Sequence, residues 1–382
     1  MSVLRFYAIC LLVLSVIAES SAYARPYYYP AQRYENVESE ALGGVTLGLS
    51  DETGNDLMNN PAGLARNTQF RVEALNLALD MNNTNLRNIG LNTIKMTGLS
   101  GSETAINAAP NEVFGLGGSN ITAIAWKGFG FGVMMQNRVM AFNDGTNLNY
   151  QNLSQTIPTF GYGLALARGI VRIGYSLQYV NESVGTAKTT PNDPAASYAT
   201  GIDQGKGLSH NLSVNFVFPY TFLPTFSLIA RNVGGLHYTS GSLFGITAAK
   251  NPIGIPTDEV MSEDASLGFT IRVAGNFKTI WYMQYKDVTN TVSTPFLERL
   301  STGVDFELTK SFALRAGFTG PEFSMGLGYR SEGSEINLAW YQERNEFSAV
   351  SYWDSRYTLE YKLFFQDKNT RDRKAEAKGP TK

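Results

Sequence analysis

Cysteine is nearly missing from this chain of 382 residues: the single one is Cys10. It sits inside an apolar run behind Ile9, not behind the small residue a lipoprotein anchor needs, and one cysteine builds no disulfide framework. Histidine is almost as scarce, with only His210 and His237. Two isolated histidines and no cysteine beyond residue 10 leave a zinc site poorly supplied. Gly-x-Ser-x-Gly and Walker-type loops are also missing. A hydrolytic site needs a base within reach, and the one strand candidate, His210, lies on an apolar row between Leu208 and Leu212. No catalytic residues, metal ligands or cofactor motif emerge, so the expectation is a protein that is not an enzyme. Charged residues are 17% of the chain, well below the roughly 25% of soluble proteins. A net charge of −2 argues against a nucleic-acid surface. After residue 24 no apolar stretch reaches the ~20 residues a membrane-spanning helix requires.

The first apolar run, Phe6 to Ala18, follows Arg5 and precedes the small-x-small site Ala22-Tyr23-Ala24. It is too short to span a bilayer and has the layout of a cleaved signal peptide, residues 1–24. The exported remainder is rich in aromatics (12%) and glycine (37 residues). Such a composition suits a membrane β-barrel or a secreted β-sandwich, and periodicity separates the two.

From residue 68 the pattern has period two. Val171, Ile173, Tyr175, Leu177 and Tyr179 alternate with polar or small residues, and Tyr357, Leu359, Tyr361, Leu363 and Phe365 do the same at the other end. Successive strand side chains point to opposite faces, so each segment has one apolar face. Fourteen strands are expected, at 68–82, 113–126, 129–142, 157–167, 170–180, 207–218, 225–233, 262–274, 277–288, 298–308, 311–320, 322–331, 334–343 and 352–365. Short turns such as Lys127-Gly128, Arg168-Gly169 and Glu332-Gly333 alternate with mostly long connections, notably 83–112, 143–156, 181–206 and 234–261. Transmembrane barrels show this alternation, with short periplasmic turns and longer outer loops. A charge on the lipid face near the midplane costs about 2–4 kcal/mol. Arg272, Asp305, Glu307, Arg315 and Glu360 all fall opposite the apolar row, where with Arg231 they form the expected lumen charges. The predicted fold is all-β: a fourteen-stranded antiparallel transmembrane barrel, residues 68–365. A polar tail, 366–382, follows and reads as disordered. An even strand count puts both termini in the periplasm.

Residues 25–67 do not alternate. They contain Gly43-Gly44, Ser50-Asp51 and Asn60-Pro61-Ala62-Gly63-Leu64-Ala65 directly before the first strand. Glycine pairs permit tight backbone packing, and Asn-Pro signals a turn in which Asn is able to bond its own backbone. Together these elements resemble the long-chain fatty-acid transporter (FadL) superfamily. Phe226 to Gly234 and Leu314 to Phe318 look like its PorV-type branch. The resemblance implies an N-terminal plug (hatch), residues 25–67, whose turn is carried by Gly43, Gly44, Asn60, Pro61 and Ala62. The last strand, Tyr357 to Phe365, resembles the closing strand of outer-membrane barrels, which implies insertion by the barrel assembly machinery into the lipid of a Gram-negative-type outer membrane.

Loop 234–261 is unusually apolar. Leu236, Tyr238, Leu243, Phe244 and Ile246 are its candidate surface for a ligand or partner, or else a lid packed on the barrel mouth. Three function classes remain open: transport of small hydrophobic, fatty-acid-like molecules; a PorV-like shuttle for secreted proteins; and a general porin, which a plug would block.

Overall fold

The structure, a computed structural model, describes residues 33–49, 53–86, 112–189, 202–220, 222–243, 252–272, 278–291, 295–309, 311–347 and 350–366. The expected signal peptide, residues 25–32, the tail beyond 366, Phe244, Ile246 and the side chain of Arg272 lie outside the described residues.

Fifteen strands are β1 (Arg71–Asn82), β2 (Val113–Trp126), β3 (Phe129–Asn143), β4 (Leu148–Leu166), β5 (Val171–Thr189), β6 (Ile202–Val217), β7 (Thr225–Arg231), β8 (Thr239–Ser240), β9 (Ser262–Arg272), β10 (Lys278–Tyr285), β11 (Leu300–Glu307), β12 (Phe312–Thr319), β13 (Glu322–Arg330), β14 (Ser334–Phe347) and β15 (Val350–Gln366). All pair antiparallel with their neighbours, and β1 pairs with β15 from Arg71↔Gln366 to Asn82↔Arg356. With β5 joined to β6 and β7 to β9, fourteen strands close into a barrel, and β8 is a two-residue addition on β6. Closure gives each of the fourteen strands a hydrogen-bonded neighbour on both sides, as a strand-built membrane span demands.

The faces are the reverse of a soluble protein's. On β15, Leu359 is 50% exposed while its neighbour Glu360 is fully buried. Leu77, Phe131, Phe160 and Leu338 likewise point outward. Inward positions carry Asn76, Gln178, Asp305, Arg315 and Arg356, all buried. Hydrocarbon rewards this arrangement because the outer face has no water to meet, and charges stay in the lumen.

Several strands run farther than the hydrophobic alternation reveals. β4 begins at Leu148 and pairs with β5 up to Thr189, well beyond the 157–167 and 170–180 expected. The added stretch holds Asn149 and Gln155, buried on the inner face. It lacks the apolar outer row that marks a strand in lipid, so the wall here continues above the hydrocarbon. The β4–β5 ladder skips between Thr156↔Asn181 and Thr159↔Gln178, around Pro158, which has no N–H to donate. On the opposite wall the strands are short: β7 has seven residues, β10, β11 and β12 eight each and β13 nine.

The tight turns gather at one end. At Lys127-Gly128 both residues have positive φ (47° and 85°), the geometry of the two-residue hairpin whose twist matches its strands. The opposite end carries the long connections.

Candidate functional site

Within the barrel, residues 33–49 and 53–66 pack against the inner wall. Helix α1 (Val37–Ala41) starts at Asn36, whose side chain accepts from the Ser39 N–H at 2.7 Å, satisfying one of the donors a helix start leaves orphaned. It ends at Gly43 and Gly44, with φ +71° and +74°, values that only glycine adopts freely. A side chain at Gly43 would strike the Phe318 backbone, so this turn lies flat on β12. Thr319 donates to the Gly43 carbonyl, and Ser324 Oγ donates to the Ala41 carbonyl at 3.1 Å.

Helix α2 (Thr53–Asn59) takes its N-terminal partner from the wall. The Glu73 carboxylate of β1 accepts from Thr53 N–H at 2.7 Å and Gly54 N–H at 2.9 Å, placing negative charge where the first-turn amides need it. A 3-10 turn follows, Pro61–Arg66. The Asn60 side chain makes no cap bond there; its carbonyl accepts from Gly63 N–H at 2.7 Å instead. This corrects the side-chain turn expected from the sequence: proline at the first 3-10 position already fixes the chain direction. Ala62 N–H donates to Ser213 Oγ at 2.7 Å. Gly174 of β5 lies so close to Pro61 and Ala62 that a Cβ would overlap their backbone. The leucines of this segment, Leu42, Leu47, Leu49, Leu57 and Leu64, are all buried, each contributing about 2 kcal/mol of burial.

The lumen charges are paired, not always as expected. Arg315 faces Asp305 at 3.4 Å and Glu38 of α1 at 3.5 Å, and donates to Asn337 at 2.8 Å. Asn337 in turn donates to Glu360, which also faces Lys362 at 3.0 Å. Arg231 pairs with Asp264 on β9, and Glu307 with Lys278 at 2.6 Å near the turn end. A second network escaped the sequence reading. Fully buried Arg356 of β15 faces Asp80, Glu343 and Asp354, and Arg138 pairs with Glu343. Alternation put these residues inside, but only barrel closure brings β1 against β15.

Of the described residues of loop 234–261, Leu236 and Tyr238 turn inward. Leu236 is fully buried and Tyr238 is 5% exposed. They join Tyr34, Met58, Ile121, Met134, Ile157 and Val180 in one apolar cluster. Four of these partners are inward-facing residues of β2, β3, β4 and β5, so a continuous apolar belt crosses that wall of the lumen. Gly207 of β6 sits against Leu236 and His237, which permits the loop to lie inside the wall. The loop is tied to the start of the inner segment: Arg33 pairs with Glu259 and donates to Asn232 Oδ1 at 3.3 Å, while Tyr238 Oη donates to Glu259 at 2.7 Å. Burial pushes the Tyr238 phenol up from its ordinary pKa, with Glu182 adding to the effect, so the hydroxyl stays a donor. Leu243 is half-buried, its N–H donating to Asn181 at 2.9 Å, whereas Ile253 is 72% exposed. His237 bonds Asp258 at 2.7 Å in the exposed part of the loop. His210 lies mid-strand on the outer face, 2.8 Å from the Tyr175 hydroxyl.

Beside the lid, at the long-loop end, a cleft of about 150 Å³ opens between α1 and the wall of β1–β4 and β12–β15. Among the described residues no group of three or more His, Cys, Asp and Glu is arranged to hold a metal ion.

No family model matches the sequence, and no curated protein matches it. Similar solved structures do exist. The CymD monoaromatic hydrocarbon channel is 11% identical, with 86% of this chain and 97% of that one covered and a TM-score of 0.50. The P. putida toluene transporter TodX is 13% identical over 89% and 99% of the two chains, TM-score 0.49. A Pseudomonas aeruginosa FadL homologue is 11% identical over 86% and 96%, TM-score 0.44. At such identity the likeness to CymD is one of fold: this chain is similar to that channel in its barrel.

Proposed function

We propose that the protein is a FadL-type outer-membrane barrel that passes small hydrophobic molecules across the outer membrane and has no catalytic role. One observation carries the reading: the apolar belt of Ile121, Met134, Ile157 and Val180, closed by Met58 and Tyr34 below and by Leu236 and Tyr238 above. A water channel has no use for an apolar belt that runs unbroken across four neighbouring strands and is closed by both the inner segment and the loop. Apolar surface with a few polar groups nearby is what small-molecule sites present.

In this reading residues 25–67 are the plug and residues 1–24 the removed signal peptide. The long-loop end faces outward, both termini are periplasmic, and the barrel assembly machinery inserts the chain. Gly43, Gly44, Asn60, Pro61 and Ala62 seat the plug, and Leu236 and Tyr238 form the underside of a lid rather than an exposed receiver. The lumen charges Arg231, Arg315, Asp305 and Glu360 neutralise one another and the plug. Among the described residues no feature favours the PorV-like shuttle of secreted proteins.

The test is mass spectrometry of small molecules retained by barrel purified gently from its own outer membrane in two unrelated detergents. Wild type is expected to retain a hydrophobic molecule that an Ile157→Asn variant loses. Retention of nothing by either, with a protein partner co-purifying instead, would overturn the reading.

A further inference from the structure

The outer face of the barrel has a notch where β7 stops. β6 pairs with β7 only from Leu212↔Ala230 toward the short turns, and with β8 only at Gly205↔Ser240 and Lys206↔Thr239. Between these, among the described residues, one backbone bond reaches β6 on this side: the His210 carbonyl accepts from Val233 N–H at 2.8 Å. The chain then turns into the lumen through Gly234 and Gly235, with φ +87° and +83°, and Leu236 lies behind the notch against Gly207. A side chain at Gly234 would meet nothing within 4 Å, so the notch is open there. Residues two apart in a strand direct their backbone groups the same way. The Leu208 N–H and C=O and the His210 N–H therefore face the notch, and among the described residues none of the three has a partner. Backbone left unpaired at membrane depth does not persist against bare lipid chains.

The side chains place this notch at the edge of the hydrocarbon. Gly205 and Gly207 face the lumen, against Tyr238 and Leu236, so Lys206, Leu208 and His210 point outward. Lys206 stands beside Asn181, Leu208 beside Tyr179 and His210 beside Leu177. The step from Lys206 and Asn181 to Leu208 and Tyr179 is the step from headgroups to chains, because an outward charge is tolerated only near the interface. Lys206 makes no ion pair among the described residues. His210 Nδ1 lies 2.8 Å from the Tyr175 hydroxyl; with that hydroxyl donating, Nε2 carries the ring proton and is itself a donor. Across the notch the exposed carboxylates are engaged, Asp258 with His237 at 2.7 Å and the Tyr238 N–H at 2.9 Å, and Glu263 with Thr289 at 2.6 Å.

We propose that this notch is a lipid site: Lys206 and the donors of Leu208 and His210 hold the phosphoryl group of a membrane lipid in the leaflet at the long-loop end. Its acyl chains lie along the outward row of Leu212 and Val214 below. An ammonium with several N–H donors at headgroup depth is the chemistry that recognises a lipid phosphate. The inference rests on the barrel lying in lipid and is independent of what crosses it.

Two probes that differ only in the phosphate test it. Dioleoyl phosphatidic acid and dioleoylglycerol are titrated into the full-length protein in a maltoside detergent and retention is read by native mass spectrometry. Phosphatidic acid is expected to be retained by wild type and dioleoylglycerol to bind about tenfold more weakly, with a similar loss of phosphatidic acid in Lys206→Gln. His210→Leu is expected to give a smaller loss. Lys127→Gln, which removes a cation lying over Trp126 at the short-turn end, is expected to bind as wild type. Heat-dependent gel migration verifies that each variant is folded. Equal retention of the two lipids, retention of neither, or equal losses in Lys206→Gln and Lys127→Gln overturns the site. Ile157→Asn is expected to keep its phosphatidic acid, so failure of the belt and failure of the notch are seen separately.

Discussion

Arg33, at the start of the inner segment, is ion-paired with Glu259, 226 residues away at the base of the lid. Both side chains are almost fully buried, and Asn232 bonds the two of them. The inner segment and the loop after β7 are thereby fastened to each other, not only to the wall.

Removing Arg33 leaves the Glu259 carboxylate buried without its cation, a loss of about 3–5 kcal/mol where it is not relieved by movement. Movement is available, because the lid joins the wall through few pairs, Gly205↔Ser240 and Lys206↔Thr239 on β6. In Arg33→Ala the amides of residues 236–240 are expected to exchange hydrogen faster while β2 and β3 stay protected. Unchanged lid exchange would show that the pair does not hold it.

The wall beside Pro61 and Ala62 has no space at Gly174. Gly174→Leu is expected to displace the 3-10 turn while leaving the barrel closed. In planar bilayers the variant should conduct ions that wild type blocks, and both should keep the heat-dependent gel migration of a folded barrel. A silent Gly174→Leu would mean the plug does not seal here.

Glu73 serves α2 from outside the helix, through Thr53 and Gly54 N–H. Glu73→Ala removes both acceptors and is expected to cost about 1–2 kcal/mol locally. Hydrogen exchange of residues 53–59 measures it, with Glu73→Gln retaining part of the protection.

The turn between β3 and β4 has its own pH response. Asp144 accepts from the Asn147 and Thr146 N–H groups, which lower its pKa from 3.8 to about 2. A carboxyl held below its unfolded value stabilises the turn above pH 3.8, and that contribution is lost as pH falls through about 2. Amide chemical shifts of Thr146 and Asn147 are therefore expected to stay native at pH 4 and to move only toward pH 2. Asp144→Asn should abolish the transition.

The barrel was readable in the sequence wherever lipid touches it. β2 falls on 113–126 as expected because Ile124 and Trp126 on its outer row alternate with Ala123 and Ala125 inside. Where the wall leaves the hydrocarbon the signal vanishes, so the polar beginning of β4 read as loop. A turn at Asn60 to Ala65 was legible as a local motif, yet its contact with Ser213 and Gly174 depends on strands far along the chain. Loop 234–261 was flagged by its apolar residues. Local sequence does not reveal that Leu236 and Tyr238 face inward, because that direction is set by Arg33 and Glu259. The Asp80–Arg356 pair was hidden for the same reason: its partners meet only when the last strand closes on the first.

The most direct measurement locates the hydrophobic molecule itself. An octyl chain bearing a terminal diazirine is irradiated with the full-length protein in nanodiscs, and the labelled residues are mapped by peptide mass spectrometry. Labelling is expected at inward positions Ile121, Met134, Ile157 and Val180, lost in Ile157→Asn and competed by excess unlabelled chain. Labelling confined to outward residues such as Phe131 and Phe160, with no competition, would mean that the chain dissolves in the surrounding lipid and the belt is only packing.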